Sequence, residues 1–400
     1  MALQALAYAS EVLKNYYLPV WNRLINIEPS PFLEKIKKVP LKAFNIVASA
    51  ELGANGGVGF GSELSAVPTP GGQRYEKFSI NPVALYANVE ITDMAIKLGK
   101  TPDGATVTLL DREIRGAYDA AKWNLARSLF GDGSGILGKF SSSINNTATF
   151  AIDTIENVMV GLYIDIYNVN SSTVTRVTSG GPVRIVNVDR GNKTITVDSE
   201  VTTAHGGFIT LQGSYNNELT GLKAIFDSNV PSLYGVTKSR NSWILPEVVN
   251  ADGELTDIVL YQAVEQARRI KGTNIDLIMM SDDAFLAYQN YMRESNVTIV
   301  ENAMYEGGAA GYKVVVGNKK VEIVNEPFVP AGKAWCVDTS KFEFHTTDIT
   351  FADEQDASVF VRMENYPRYR ALLVQYCNLI CTNPGGCVEI QNCVVNNNIN

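Results

Sequence analysis

The residues best equipped for chemistry are few and lie far apart in the chain. Cysteine forms the densest group. Of Cys336, Cys377, Cys381, Cys387 and Cys393, four fall in the last 24 residues, spaced C-x3-C-x5-C-x5-C. Closely spaced thiolates bind zinc, but zinc sites use C-x2-C pairs or add histidines, and this run has neither. Two readings of Cys377, Cys381, Cys387 and Cys393 stay open. They are free thiols packed on alternating strands, or they form disulfides, within or between chains, after release from the cell. An odd total without a secretory signal does not make a disulfide framework. Histidine occurs twice, at His205 and His345. Neither has a metal-ligand spacing or adjoins a nucleophile. Gly53-Ala54-Asn55-Gly56-Gly57 and Gly131-Asp132-Gly133-Ser134-Gly135 are glycine-rich, but neither leads into a Lys-Ser/Thr helix start that would cradle phosphate. Asp282-Asp283 opens a helix, where capping and the helix dipole account for it better than acid–base catalysis. The Asn-x-Ser/Thr matches at Asn170, Asn192 and Asn296 matter only in a secreted chain. No catalytic set, cofactor site or metal site is expected, and the chain is not expected to be an enzyme.

Composition narrows the class further. The chain has 400 residues, 46% hydrophobic and 19% charged, which are values of a folded globular protein. Its net charge of −8 is spread along the chain. That disfavours tight sequence-independent nucleic-acid binding, which needs clustered Lys and Arg. No apolar run is long enough to span a membrane. The N-terminus lacks a basic region, and Gln4 and Glu11 interrupt its apolar residues, so no signal peptide is expected. A cytoplasmic site of synthesis follows.

The elements that must position these residues can be read in order. Residues 2–18 read as an amphipathic helix that Pro19 ends or kinks. Residues 19–42 read as an extended arm with Pro19, Pro29, Pro31 and Pro40, which must dock on its own domain or on a neighbour. Tyr16, Tyr17 and Trp21 would anchor it against another copy, as aromatic residues do at interfaces. A strand runs into the glycines after residue 52. A second resumes at Arg74, and strict alternation follows from Val83 to Thr92. Together they predict a long hairpin with a glycine-rich tip, on which Arg74, Tyr75, Lys77 and Phe78 are candidate contacts with a neighbour. A hairpin of that length needs a partner surface. Leu110, Ile114, Ala117, Ala121, Leu125 and Leu129 predict a long helix over 107–130. Short alternating strands between 150 and 213 predict a small β-barrel or sandwich inserted in the chain. Helices over 255–271 and 282–294 flank a buried strand at Ile275–Met280. Further strands are expected at 313–316, 321–325, 334–338 and 357–376, with a frayed Asn396–Asn400.

The order of these parts, with Leu129-Phe130-Gly131-Asp132-Gly133-Ser134-Gly135 closing the long helix and Leu219-Thr220-Gly221-Leu222 following the β-rich segment, resembles the major capsid protein of tailed bacteriophages. Members of that family commonly end their spine helix in a GDG-type turn, with a Leu-x-Gly-Leu-like element soon after. Residues 242–295, and the run from Val321 through Val329-Pro330-Ala331-Gly332-Lys333 to Asp338, resemble the family's axial domain. The resemblance implies an α+β chain with the Hong-Kong-97-type fold. Its parts would be an arm and lead-in strand (1–52), an E-loop hairpin (53–92) and a peripheral domain with the spine helix (93–138). An inserted β-rich domain (139–214), an axial domain (215–345) and a return to the peripheral domain with the tail (346–400) would complete it. It implies pentamers and hexamers that close an icosahedral head in the virion, assembled in the host bacterial cytoplasm. The implied partners are further copies, a scaffolding protein, a portal, accessory or decoration proteins, and packaged double-stranded DNA held without sequence-specific contact. No membrane is involved. Some members cross-link an E-loop lysine to an asparagine. Lys77 is on the hairpin, but no acceptor or assisting glutamate matches, so no cross-link is expected. Met1 argues against a trimmed prosegment. Encapsulins share the fold but are usually shorter and lack a β-rich insertion. A β-rich adhesin or carbohydrate-binding protein would call for a secretion signal.

Overall fold

The computed structural model describes residues 18–25, 29–51, 55–63, 66–72, 75–93, 105–170, 173–177, 181–253, 255–294, 301–304, 310–316, 319–351, 361–364 and 366–393. Residues 2–17 of the helix expected at 2–18, the candidates Tyr16, Tyr17 and Arg74, and the last seven residues lie outside them. The chain divides into two compact units. One takes residues up to Ala126 and from Ile225 onward; the other is Arg127–Ala224.

The first unit holds two sizeable sheets. The larger has seven strands, in the order Glu247–Gly253, Val388–Cys393, Ala334–Val337, Leu277–Met280, Lys319–Asn325, Ala310–Val316 and Glu301–Met304. Leu277–Met280 lies at its centre and all four residues are buried, as its unbroken apolar run requires. Helices Asp257–Lys271 and Asp282–Glu294 supply Leu260, Ala263, Val264, Ala267, Ala284 and Tyr288. These pack on Ile278, Ile323, Cys336 and Ile390 to form the main core. Ser281 caps the second helix: its carbonyl accepts from the Phe285 N–H at 2.8 Å and its Oγ accepts from the Ala284 N–H at 3.4 Å. Asp282 and Asp283 therefore sit inside the first turn, where their charge complements the helix dipole. Asp282 also accepts from Asn325 Nδ2 at 2.7 Å.

The other large sheet of this unit has six strands and is organised along the 14-residue strand Arg368–Cys381. Val83–Thr92 pairs with its first ten residues, from Arg368↔Thr92 to Cys377↔Val83. Phe342–Thr346 pairs with its end, and Lys37–Pro40 lies parallel to that strand. Two expectations change here. The alternating run 83–92 is not an arm of the hairpin. Asn81-Pro82 interrupts the chain after Ile80, proline lacking the N–H that would continue a ladder, and the strand that follows joins the six-stranded sheet. The tail strand Val388–Cys393 does not return with Arg368–Cys381; it joins the seven-stranded sheet, parallel to Glu247–Gly253. The turn Pro384–Gly386 makes that change of sheet possible within a few residues.

The second unit carries seven antiparallel strands between Ile136 and Leu211. Their alternation closes a separate core of Leu137, Phe140, Ile164, Ile166, Ile185, Ile195 and Ile209. Its limits, Arg127 and Ala224, take in both glycine motifs named above. Asp132 holds the turn after the long helix Ala105–Leu129, accepting from the Ser134 N–H at 2.9 Å, and pairs with Lys223 at 3.2 Å. Buried Arg127 pairs with Glu218. A Cβ on Gly221 would fall on the Leu129 and Ser128 carbonyl oxygens. The two motifs thus form one packed joint, although some 90 residues separate them.

Candidate functional site

A subunit built to bind copies of itself should show apolar surface that its own core does not cover. The arm is the first place to look, and within its described residues the aromatic rings of Trp21 and Phe32 are covered by the chain itself. Pro19 and Pro31 sit in first helical turns, in Leu18–Leu24 and Pro31–Lys35, where a missing N–H costs nothing. Within its described residues the arm is therefore two short helices and a strand, not one extended segment. Trp21 is buried and stacks on Tyr118 of the long helix at 5.0 Å. Asn22 Oδ1 accepts from the Ile349 N–H at 2.6 Å. Phe32 meets Phe342 edge-on at 5.1 Å. Lys35 pairs with Glu322 at 2.8 Å and Lys37 with Glu343 at 2.7 Å. Trp21 is thus a core residue of its own chain and not an anchor for a neighbour. Its aromatic type is the same in both roles, so sequence could not separate them.

The hairpin is different. Ile46–Glu51 and Tyr75–Ile80 pair antiparallel, from Ile46↔Ile80 to Glu51↔Tyr75. One face is covered by the chain itself. Phe78 is fully buried against Tyr234, ring centres 5.4 Å apart, and the Ser79 N–H donates to the Tyr234 carbonyl at 3.0 Å. Phe78 is therefore also removed from the set of free contacts. Tyr75 and Lys77 remain exposed on the outer face, beside Val47. Beyond the paired strands the two chain segments come together again at Gly57 and Gly71. A Cβ on Gly57 would lie 2.8 Å from the Gly71 nitrogen, so only glycines permit the approach. Val58, Phe60 and Val67 stand open on this tip, as does Phe44 at the base, 96% exposed. Val58, Phe60 and Val67 did not stand out in sequence, because a lone apolar residue in a glycine-rich loop has no periodicity to mark it.

The cysteines offer no competing site. All five are buried free thiols. Cys336 and Cys393 belong to the main core. Burial pushes the Cys377 thiol up to about 12 and that of Cys393 up to about 11. Cys387 is raised by its hydrogen bond with Cys381 and by burial. Such thiols are protonated and inert at neutral pH. Among the described residues no three His, Cys, Asp or Glu side chains are grouped to hold a metal ion. His345 lies beside Glu343 at 3.4 Å, with burial lowering its pKa, while His205 is exposed. No described helix is long and apolar enough to cross a membrane.

Taken together, the paired helices on a seven-stranded sheet, the long helix, the six-stranded sheet and the projecting hairpin make the Hong-Kong-97-type capsid fold. The chain aligns with the cyanophage A-1(L) capsid asymmetric unit over 92% of its own length and 93% of that chain, with a TM-score of 0.56 and 12% identity. Lower TM-scores of 0.44 are found with two other shells. One is the SrpI encapsulin of Synechococcus elongatus PCC 7942, at 9% identity over 92% and 89% of the two chains. The other is the capsid of Myoviridae phage XM1, at 10% identity over 90% of each. No family model and no curated protein matches the sequence.

Proposed function

We propose that this chain is a major capsid protein, associating into pentamers and hexamers that close an icosahedral phage head around double-stranded DNA. The observation that carries the reading is end-to-end correspondence with a capsid subunit, 92% of one chain against 93% of the other. The agreement extends over nearly the whole of both chains and is not confined to one shared domain. The hairpin supports it independently. Its apolar tip costs free energy in water, at roughly 25 cal/mol per Å² of apolar surface, and a neighbouring copy is the covering surface that a shell provides. Exposed Tyr75 and Lys77 would lie in that contact. A scaffolding protein, a portal and accessory proteins are the further partners of this reading, and the virion its location. The net charge of −8 suits DNA that is confined by the shell and not bound to it. Electron microscopy of the purified protein, alone and with a candidate scaffolding protein, should show closed particles. A chain that stays monomeric under both conditions would refute the proposal, and particles filled with protein cargo would favour a storage shell.

A further inference from the structure

Glu326 is a carboxyl in the wrong surroundings. It follows strand Lys319–Asn325, is 3% exposed, and faces no cation among the described residues. Its hydrogen bond comes from the arm: Ser30 Oγ donates to Oε2 at 2.8 Å, and Ser30 is itself 2% exposed. The same Ser30 Oγ accepts from the Phe32 N–H at 3.2 Å and so caps helix Pro31–Lys35. One hydroxyl therefore starts the arm helix and ties it to the end of the seven-stranded sheet. Around the pair, Asp282 is the nearest charge and has the same sign. The cations of the neighbouring elements are engaged elsewhere, Lys35 with Glu322 and Lys333 with Glu389. An ionised carboxylate held there keeps a single hydroxyl donor in exchange for its lost water, which is a poor trade.

We propose that Ser30 and Glu326 form a proton-operated latch, which seats arm residues 29–40 on their own chain while Glu326 is neutral and loosens them when it ionises. The inference does not depend on the shell reading; within a shell it would decide when the arm is free to reach a neighbour. The direction follows from linkage. Burial, with Asp282 adding to it, pushes the Glu326 carboxyl up to about 7 from an ordinary 4.5. Between those values the seated state holds a proton that the released state does not. Seating therefore weakens as pH rises through that interval, and stays weak above about 7. The neutral acid still accepts the Ser30 hydroxyl through its carbonyl oxygen, so protonation does not break the contact.

Hydrogen–deuterium exchange on the full-length protein tests this. The amides of Glu34 and Ile36, bonded to the Ser30 and Phe32 carbonyls, report the arm helix. Wild type and Glu326→Gln are compared at each pH, so intrinsic exchange and the titration of His345 beneath Lys37–Pro40 cancel. The amide side chain mimics the neutral acid. At pH 4, below both values, the two proteins should exchange alike; at pH 8.5 wild type should exchange about tenfold faster or more, as a carboxyl shifted by more than one pKa unit requires. Ser30→Ala should move the midpoint of the response upward, because the ionised form loses its donor. A wild-type to Glu326→Gln ratio that does not change with pH would overturn the latch. So would a pH response shared equally by the amides of Leu277–Met280, since that reports global and not local opening.

Discussion

Gly221 and Leu129 illustrate what a single position can decide. The motif Leu219-Thr220-Gly221-Leu222 carries no reactive side chain, and its glycine is there because two carbonyl oxygens of the helix end occupy the space a Cβ would need. Gly221→Ala should therefore force backbone to move and destabilise unit Arg127–Ala224 by about 1–3 kcal/mol. Chemical denaturation followed by a probe in that unit reads the loss; an unchanged midpoint would mean that the joint is slack. The cysteines teach the opposite lesson. Their spacing left packed free thiols and disulfides both open, and they are buried free thiols; spacing in sequence does not say whether a thiol faces solvent or a packed helix. Trp21 and Phe78 failed as contact residues for the same reason. Burial is a property of the folded neighbourhood, and an aromatic ring serves a core or an interface equally well.

At the scale of elements, the hairpin and the long helix divide the labour between protruding and being covered. The tip between Gly57 and Gly71 contributes exposed apolar surface and little to the chain's own core. Replacing residues 56–72 with a short turn should leave the subunit's unfolding free energy within about 0.5 kcal/mol of the parent, as changes outside a core do. The same variant should fail to give stable closed particles by electron microscopy and sedimentation. Intact shells from it would show that the tip is dispensable. The elements themselves were largely legible. Helical spacing from Leu110 to Leu129 and the patterns at 255–271 and 282–294 match the helices Ala105–Leu129, Asp257–Lys271 and Asp282–Glu294. What could not be read was pairing. The strict alternation of Val83–Thr92 says that a strand has two unlike faces, not which strand lies beside it, and its partner is nearly 300 residues away.

At the scale of the whole molecule, the two units differ in how their cores are closed. Unit Arg127–Ala224 is a continuous piece of chain whose strands pair only with one another and enclose their own apolar cluster. Expressed alone, residues 127–224 should give a β-type circular dichroism spectrum and one cooperative thermal transition, as a domain of that size with its own core does. A non-cooperative melt would show that the core needs the rest of the chain. The other unit is assembled from both ends of the sequence. Lys37–Pro40 lies against Phe342–Thr346, and Val388–Cys393 lies against Glu247–Gly253.

By itself the sequence determined the fold class and the kind of element along most of its length. Periodicity and turn chemistry are local, and the order of arm, glycine-rich hairpin, long helix and GDG turn survives without knowledge of contacts. Only the tertiary structure decided which apolar residues are spent inside the chain and which are left for a partner. Trp21, Phe78 and the cysteines went inside, while Phe44, Val58, Phe60 and Val67 stayed out. The physical reason is that the free energy of an apolar side chain depends on whether water reaches it, and that is set by neighbours brought from distant parts of the chain.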